Sequence, residues 1–87
     1  MNKYEQIPEV EVDLHGYTTR EAEEILNDIL ENEEYKHIRV ITGKGLFRET
    51  GPVLRSFVIK YLEDRNIRFS YAKIQNGGDG ALEVYLK

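Results

Sequence analysis

Glu9-Val10-Glu11-Val12-Asp13-Leu14-His15-Gly16 is the stretch on which the fold turns. Apolar side chains at 10, 12 and 14 alternate with polar ones at 9, 11, 13 and 15. A period of two predicts a half-buried strand, because successive side chains leave a strand on opposite faces. Gly16-Tyr17 breaks the run. Thr18 followed by Glu21 then fits a capping box, in which the hydroxyl takes one orphan N–H of a helix and the carboxylate returns to another. Ala22, Ile25, Leu26, Ile29 and Leu30 repeat at the spacing of one helix face, which predicts an amphipathic helix from about Thr19 to Glu33 with a charged outer side.

Downstream, His37 to Thr42 is rich in β-branched residues and reads as a second strand. Thr42-Gly43-Lys44-Gly45 ends it and opens a glycine-bounded loop over 43–51. Thr50-Gly51-Pro52 signals a helix start, since proline is preset for a first turn. Val53, Leu54, Phe57, Val58, Tyr61 and Leu62 give that helix a buried stripe, and it is expected to stop near Asn66. Phe69–Ile74 and Ala81–Leu86 read as two more strands, joined by the turn cluster Gln75-Asn76-Gly77-Gly78-Asp79-Gly80, whose glycines accept positive φ. The order β-α-β-α-β-β predicts an α/β two-layer sandwich. Strands one and two are parallel through a crossover, the last two antiparallel, and both helices cover one face of a four-stranded mixed sheet. The other face is expected to show Glu11, Asp13 and His15 to solvent. Residues 1–8 read as a tail and 9–87 as a single domain.

The bulk numbers narrow the classes. A chain of 87 residues buries only about 60–65% of its unfolded surface, so the core is thin. There is no cysteine to supplement it with disulfides or a thiolate metal cage. No apolar run approaches the ~18 residues of a membrane span, and Met1–Gln6 lacks the basic and apolar regions of a signal peptide. A cytoplasmic monomer without membrane contact is expected. The net charge of −4 argues against tight non-specific nucleic-acid binding, which normally leaves a basic footprint. The charges are uneven, however. Acidic residues crowd the first helix from Glu21 to Glu34, whereas Lys44, Arg48, Arg55 and Lys60 face only Glu49 between them.

If the first two strands are parallel, both motifs emerge at one edge of the sheet, where ligands of α/β proteins favour the carboxyl ends of strands. That edge would hold an imidazole, a carboxylate, a lysine and two glycines, the parts of a phosphodiester-handling site. Asp13 and His15 share a face, about 6–7 Å apart at Cα. His15 can exchange a proton near neutrality. Taken singly, it is also an ordinary strand-end histidine satisfied by a carbonyl. Thr42-Gly43-Lys44-Gly45 is not an ATP-binding phosphate loop, because the upstream glycine and the magnesium-holding hydroxyl are missing. Gly43 and Gly45 still allow backbone N–H groups close to an anion, and Lys44 adds a point charge. Arg48 and Arg55 flank this loop, and Tyr17, Tyr71 and Tyr85 are of a type that stacks on bases. Glu11, Asp13 and Glu83 could approach a divalent cation only if strands one and four were neighbours, and no metal site is assigned.

These residues together resemble the Smr (small MutS-related) domain. The family shows a Leu/Val-Asp-Leu-His-Gly motif, an amphipathic helix, a strand ending in His-Gly-x-Gly, a second helix and a terminal glycine-turned hairpin. The counterparts are Val12 to Gly16, Thr42 to Gly45, Gly51 to Arg55 and Asn76 to Gly80. The resemblance implies a sandwich similar to the C-terminal domain of bacterial translation initiation factor three. It also implies nucleic-acid binding, with nicking or RNA-cleaving endonuclease activity in several members. Some members are joined to mismatch-repair-like ATPases and others act in ribosome or messenger-RNA surveillance. His15 and Asp13 would then be catalytic, and Tyr17, Thr42, Gly43, Lys44, Gly45, Arg48 and Arg55 would bind nucleic acid. RNA cleavage would need no cofactor, and DNA nicking would call for Mg2+. One departure matters: Thr42 stands where the family usually has histidine, and a threonine cannot exchange a proton near neutral pH. The alternative is a catalytically silent module gripping RNA or a ribosomal surface; a third is a protein-interaction domain.

Overall fold

The computed structural model describes residues 7–32, 34–43, 50–73 and 80–86, the side chains of 50–52 excepted. The elements are β1 (Val10–Asp13), α1 (Thr19–Glu31), β2 (His37–Ile41), α2 (Thr50–Asp64), β3 (Arg68–Tyr71) and β4 (Ala81–Tyr85). This is the expected α/β order, with ends differing by a few residues. α1 stops two residues early, with its end at Asn32, whose N–H donates to the Ile29 carbonyl. The third strand runs from Arg68 to Tyr71 rather than from Phe69 to Ile74.

The sheet order is β1-β2-β4-β3. β1 pairs with β2 in parallel, and β4 pairs antiparallel with both β2 and β3. β1, β2 and β3 therefore all point the same way and end at one edge. The register sets Val12 beside Val40, Val40 beside Leu82 and Leu82 beside Tyr71. Val12, Leu14, Ile38, Val40, Leu82 and Val84 form one face, and α1 (Ala22, Leu26) and α2 (Leu54, Val58, Tyr61, Leu62) pack on it in a single core. Burying each of the leucines completely is worth about 1.5–3 kcal/mol. The two helices are also pinned to each other, as the Tyr61 hydroxyl donates to Asn27 Oδ1 at 2.6 Å.

The opposite face departs from expectation at its centre. Glu11 and Asp13 are exposed on β1 as the alternation predicts, but Glu83 on β4 is fully buried and Arg39 on β2 is 8% exposed. The reason is the strand order. β2 and β4 are the middle strands, so each of these side chains is flanked on both sides. A buried charge is tolerated only when paired. Arg39 Nε donates to Glu83 Oε2 at 2.7 Å and its Nη1 to Glu11 Oε2 at 3.0 Å. His37 Nε2 meets Glu83 Oε1 at 2.6 Å. Desolvation alone would make Arg39 less basic, but the hydrogen bonds it donates to Glu83 and Glu11 outweigh it and hold the guanidinium above its ordinary pKa. This network also disposes of the conditional cation site. β2 lies between β1 and β4, and Glu83 is already taken by Arg39 and His37.

Candidate functional site

The chain leaves β1 through a turn that fixes His15. Leu14 N–H donates to the Ile41 carbonyl at 2.7 Å, prolonging the β1–β2 ladder, and the Leu14 side chain is completely buried. Tyr17 N–H then closes back on the Leu14 carbonyl at 3.1 Å. The third residue of this turn, Gly16, has φ +83°, a conformation that costs a residue with a Cβ about 1–2 kcal/mol. α1 follows at once. Thr18 Oγ1 accepts from Glu21 N–H at 3.1 Å, and Glu21 Oε1 accepts from Thr18 N–H at 3.0 Å. The predicted capping box is thus present. A buried leucine before His15 and a capped helix after it leave the imidazole on a short, tethered arch.

Asp13 aims that imidazole. Its Oδ1 accepts the His15 backbone N–H at 3.0 Å and also pairs with His15 Nδ1. Partial desolvation pushes the Asp13 carboxyl up, but the side-chain and backbone hydrogen bonds from His15 outweigh it, so Asp13 titrates below the usual aspartate value. An ionised carboxylate can only accept, so Nδ1 carries the proton when the ring is neutral. Nε2 then holds the lone pair, and it has no partner among the described residues. Both side chains remain half-exposed, 56% for His15 and 50% for Asp13. With Gly16 and Tyr17 they line one shallow, open depression, and Tyr17 is itself 43% exposed.

The second motif meets the first through Gly43. A Cβ built on Gly43 would stand 3.3 Å from the Cβ of His15, and its φ is +84°. The two loop tips touch, and only a residue without a side chain fits both the backbone and the contact. The Gly43 amide is not a free donor, however. Thr42 and Gly43 N–H groups both donate to the Gly80 carbonyl, at 2.8 and 3.1 Å. Gly43 therefore shapes the edge sterically, whereas an open amide was expected. Thr42 is 1% exposed, with its hydroxyl 3.5 Å from the carbonyls of Gly43 and Gly80. It faces inward, since positions 38, 40 and 42 share the core side of β2. Lys44, Gly45, Arg48 and the 76–79 portion of the last turn lie outside the described residues.

Arg55 stands at the same end of the sheet but farther across it, its guanidinium 4.9 Å from the ring centre of Tyr71. From β1 to β3 is three strand spacings, about 14 Å. Sequence reasoning named Arg55 without its aromatic partner, and it missed the Gly80 carbonyl that ties the edge together. The former needed the position of β3 in the sheet. The latter needed the pairing of β2 with a strand that starts some forty residues later. Among the described residues, no group of three or more acidic or histidine side chains gathers as metal ligands. No helix described is long and apolar enough to cross a membrane.

Comparison with known proteins agrees with this architecture. The Smr domain family model matches residues 12–87. Endonuclease MutS2 of Carboxydothermus hydrogenoformans is 39% identical over 83 residues, covering 90% of this chain and 10% of that protein. Human NEDD4-binding protein 2 is 38% identical over 90 residues, covering 93% of this chain and 5% of that protein. The chain thus spans a small fraction of the relatives it matches. The crystal structure of the Smr domain of Thermus thermophilus MutS2 superposes with a TM-score of 0.75 at 29% identity, covering 88% of this chain and 96% of that one. A β-α-β-α-β-β sandwich whose Asp-Leu-His-Gly arch touches the glycine closing its second strand belongs, on all these grounds, to the Smr domain family.

Proposed function

We propose that the edge formed by His15, Asp13, Tyr17 and Gly43 binds nucleic acid and cleaves RNA phosphodiesters. The observation that supports this best is the Asp13–His15 pair, which orients Nδ1 inward and leaves Nε2 unoccupied over an open depression. In that tautomer Nε2 can take the proton of a ribose 2′-hydroxyl. The 2′-oxygen forms a bond to the adjacent phosphorus, the phosphorus–5′-oxygen bond breaks, and the departing 5′-oxygen collects a proton from the imidazolium or from water. The products are a cyclic phosphate and a 5′-hydroxyl. Asp13 favours the imidazolium formed midway, and Lys44, Gly45, Arg48 and Arg55 are assigned to the phosphate backbone. DNA lacks the 2′-hydroxyl, so its nicking would need an activated water and Mg2+. The relatives point the same way, one being named an endonuclease.

Incubation of end-labelled single-stranded RNA with the protein tests this. Cleavage is expected with the parent and a loss of about 10²–10⁴-fold with His15→Ala, circular dichroism remaining unchanged. Cleavage at parental rate by His15→Ala would remove the imidazole from the reaction. A second reading, binding without cleavage, is favoured by Thr42. The residue at the family's second histidine position is buried and has no proton to exchange. Retention of RNA with no product from the parent supports that reading instead.

A further inference from the structure

Among the four large apolar side chains exposed on the described residues, Tyr17 is the one that shares a depression with His15. Helix capping supplies an ordinary reason for an apolar residue there. Thr18 is the N-cap, and the residue before a cap often packs on the fourth residue of the helix. That residue is Ala22, which is completely buried and carries a single methyl group. A methyl already enclosed by the core leaves a tyrosine ring little to cover, and Tyr17 stays 43% exposed. The other described tyrosines have partners in the fold. Tyr35 packs against the core, Tyr61 bonds Asn27 and lies under Arg65, Tyr71 lies under Arg55, and Tyr85 meets Ser70, His37 and Arg68. Among the described residues, no hydrogen bond, ion pair or ring contact holds the Tyr17 side chain.

The Tyr17 backbone, by contrast, is fixed. Its N–H closes on the Leu14 carbonyl at 3.1 Å, and the capping box begins at the next residue. A flat ring with no task in the core thus stands on the same tethered arch as the His15 imidazole. With Asp13 and Gly16 the two line a depression of about 440 Å³, the size of a small-ligand site. A proton acceptor beside an open aromatic surface fits a molecule with a hydroxyl close to a flat π-face. A ribonucleotide is such a molecule, as its base and its 2′-hydroxyl hang on adjacent ribose carbons. A base stacked on Tyr17 brings its own 2′-hydroxyl toward Nε2. In a continuous duplex both faces of a base are covered, whereas unstacked bases of single strands and loops are free.

We infer that Tyr17 is a stacking platform for the base of the nucleotide whose 2′-hydroxyl meets His15, and that the His15 edge therefore takes RNA in which this nucleotide is unpaired. This rests on the RNA-cleaving reading above and adds to it the role of one residue and a substrate class. The stacked base belongs to the nucleotide on the 5′ side of the phosphate that is cut.

The test is binding and cleavage of a short single-stranded RNA carrying 2-aminopurine at each position in turn, against the same strand in a blunt duplex, by the parent, Tyr17→Leu and Tyr17→Phe. Leucine keeps an apolar residue ahead of the helix cap but offers no flat ring, so it separates stacking from packing. Tyr17→Leu is expected to weaken single-strand binding about 5- to 100-fold and to abolish quenching of 2-aminopurine placed just 5′ of the cut. Tyr17→Phe should retain both. A strand abasic at that position should bind the parent as weakly as the intact strand binds Tyr17→Leu, a measurement that leaves the fold untouched. Parental affinity and quenching in Tyr17→Leu would overturn the platform while leaving the RNA reading intact. A duplex bound by the parent as tightly as the single strand would overturn the claim of an unpaired nucleotide. Quenching lost in Tyr17→Leu on RNA that the parent binds but does not cut would uphold the platform and remove the cleavage reading. Absence of any RNA binding by the parent would sink both.

Discussion

The two histidines of the chain offer a controlled contrast. Each meets a carboxylate, His15 through Nδ1 on Asp13 and His37 through Nε2 on Glu83. His15 rides an exposed arch at the carboxyl ends of β1 and β2, its second nitrogen without a partner among the described residues. His37 sits at the opposite end of β2, 17% exposed, with its ring on Tyr85 and its carboxylate shared with Arg39. The same pair of groups stands half in water in one setting and serves cohesion in the other. What separates them is strand order, which leaves one carboxylate on an edge strand and encloses the other on a central one.

The sharpest way to break this contrast is at Glu83. Glu83→Ala strands the Arg39 guanidinium on a buried face and frees His37. Loss of one partner from such a network costs about 3 kcal/mol or more, read as a lower urea midpoint. A midpoint within error of the parent would mean that the network is incidental. Gly43→Ala comes next. Its positive φ and the 3.3 Å approach to His15 predict a loss of about 1–2 kcal/mol, together with movement of the His15 ring signals in NMR spectra. Unmoved His15 signals would deny that the two loop tips are packed. The smallest effect belongs to the Asp13–His15 pair. His15→Ala should change unfolding stability by no more than about 0.5 kcal/mol, because both side chains are half in water. Its signature is titration. The folded Asp13 carboxyl lies below its unfolded value, so the stability it contributes is present above the ordinary aspartate range and is lost as pH falls through the folded pKa. Carbon-detected titration should find Asp13 low in the parent and higher in His15→Ala. An equally low value in both would exclude His15 as the cause.

Much of the architecture could be read from the chain because it is written locally. The alternation of Val10, Val12 and Leu14, the capping box of Thr18 and Glu21, and the stripe from Ala22 to Leu30 are each set by near neighbours. The ends of elements were less legible, as at β3, where pairing with β4 rather than propensity decides the limits. What the alternation could not reveal was which strands are central. Glu83 reads as an ordinary outward residue until β4 is placed between β2 and β3. Thr42 and Gly43 read as a polar loop start until Gly80 supplies the carbonyl that binds both amides. At the site, Asp13, His15 and Tyr17 were legible as neighbours on one arch. The partnership of Arg55 with Tyr71 was not, since it joins a helix to a strand across a tertiary contact.

The last strand of the domain is also the one both neighbours lean on. β4 supplies all of β3's pairing and one full side of β2's. A nascent polypeptide that has emerged only through β3 can form the β1–α1–β2 half, but it has no sheet to receive the rest. Vectorial folding of this domain must wait for β4, and any mishap there would unseat the Asp13–His15 arch far upstream in the chain.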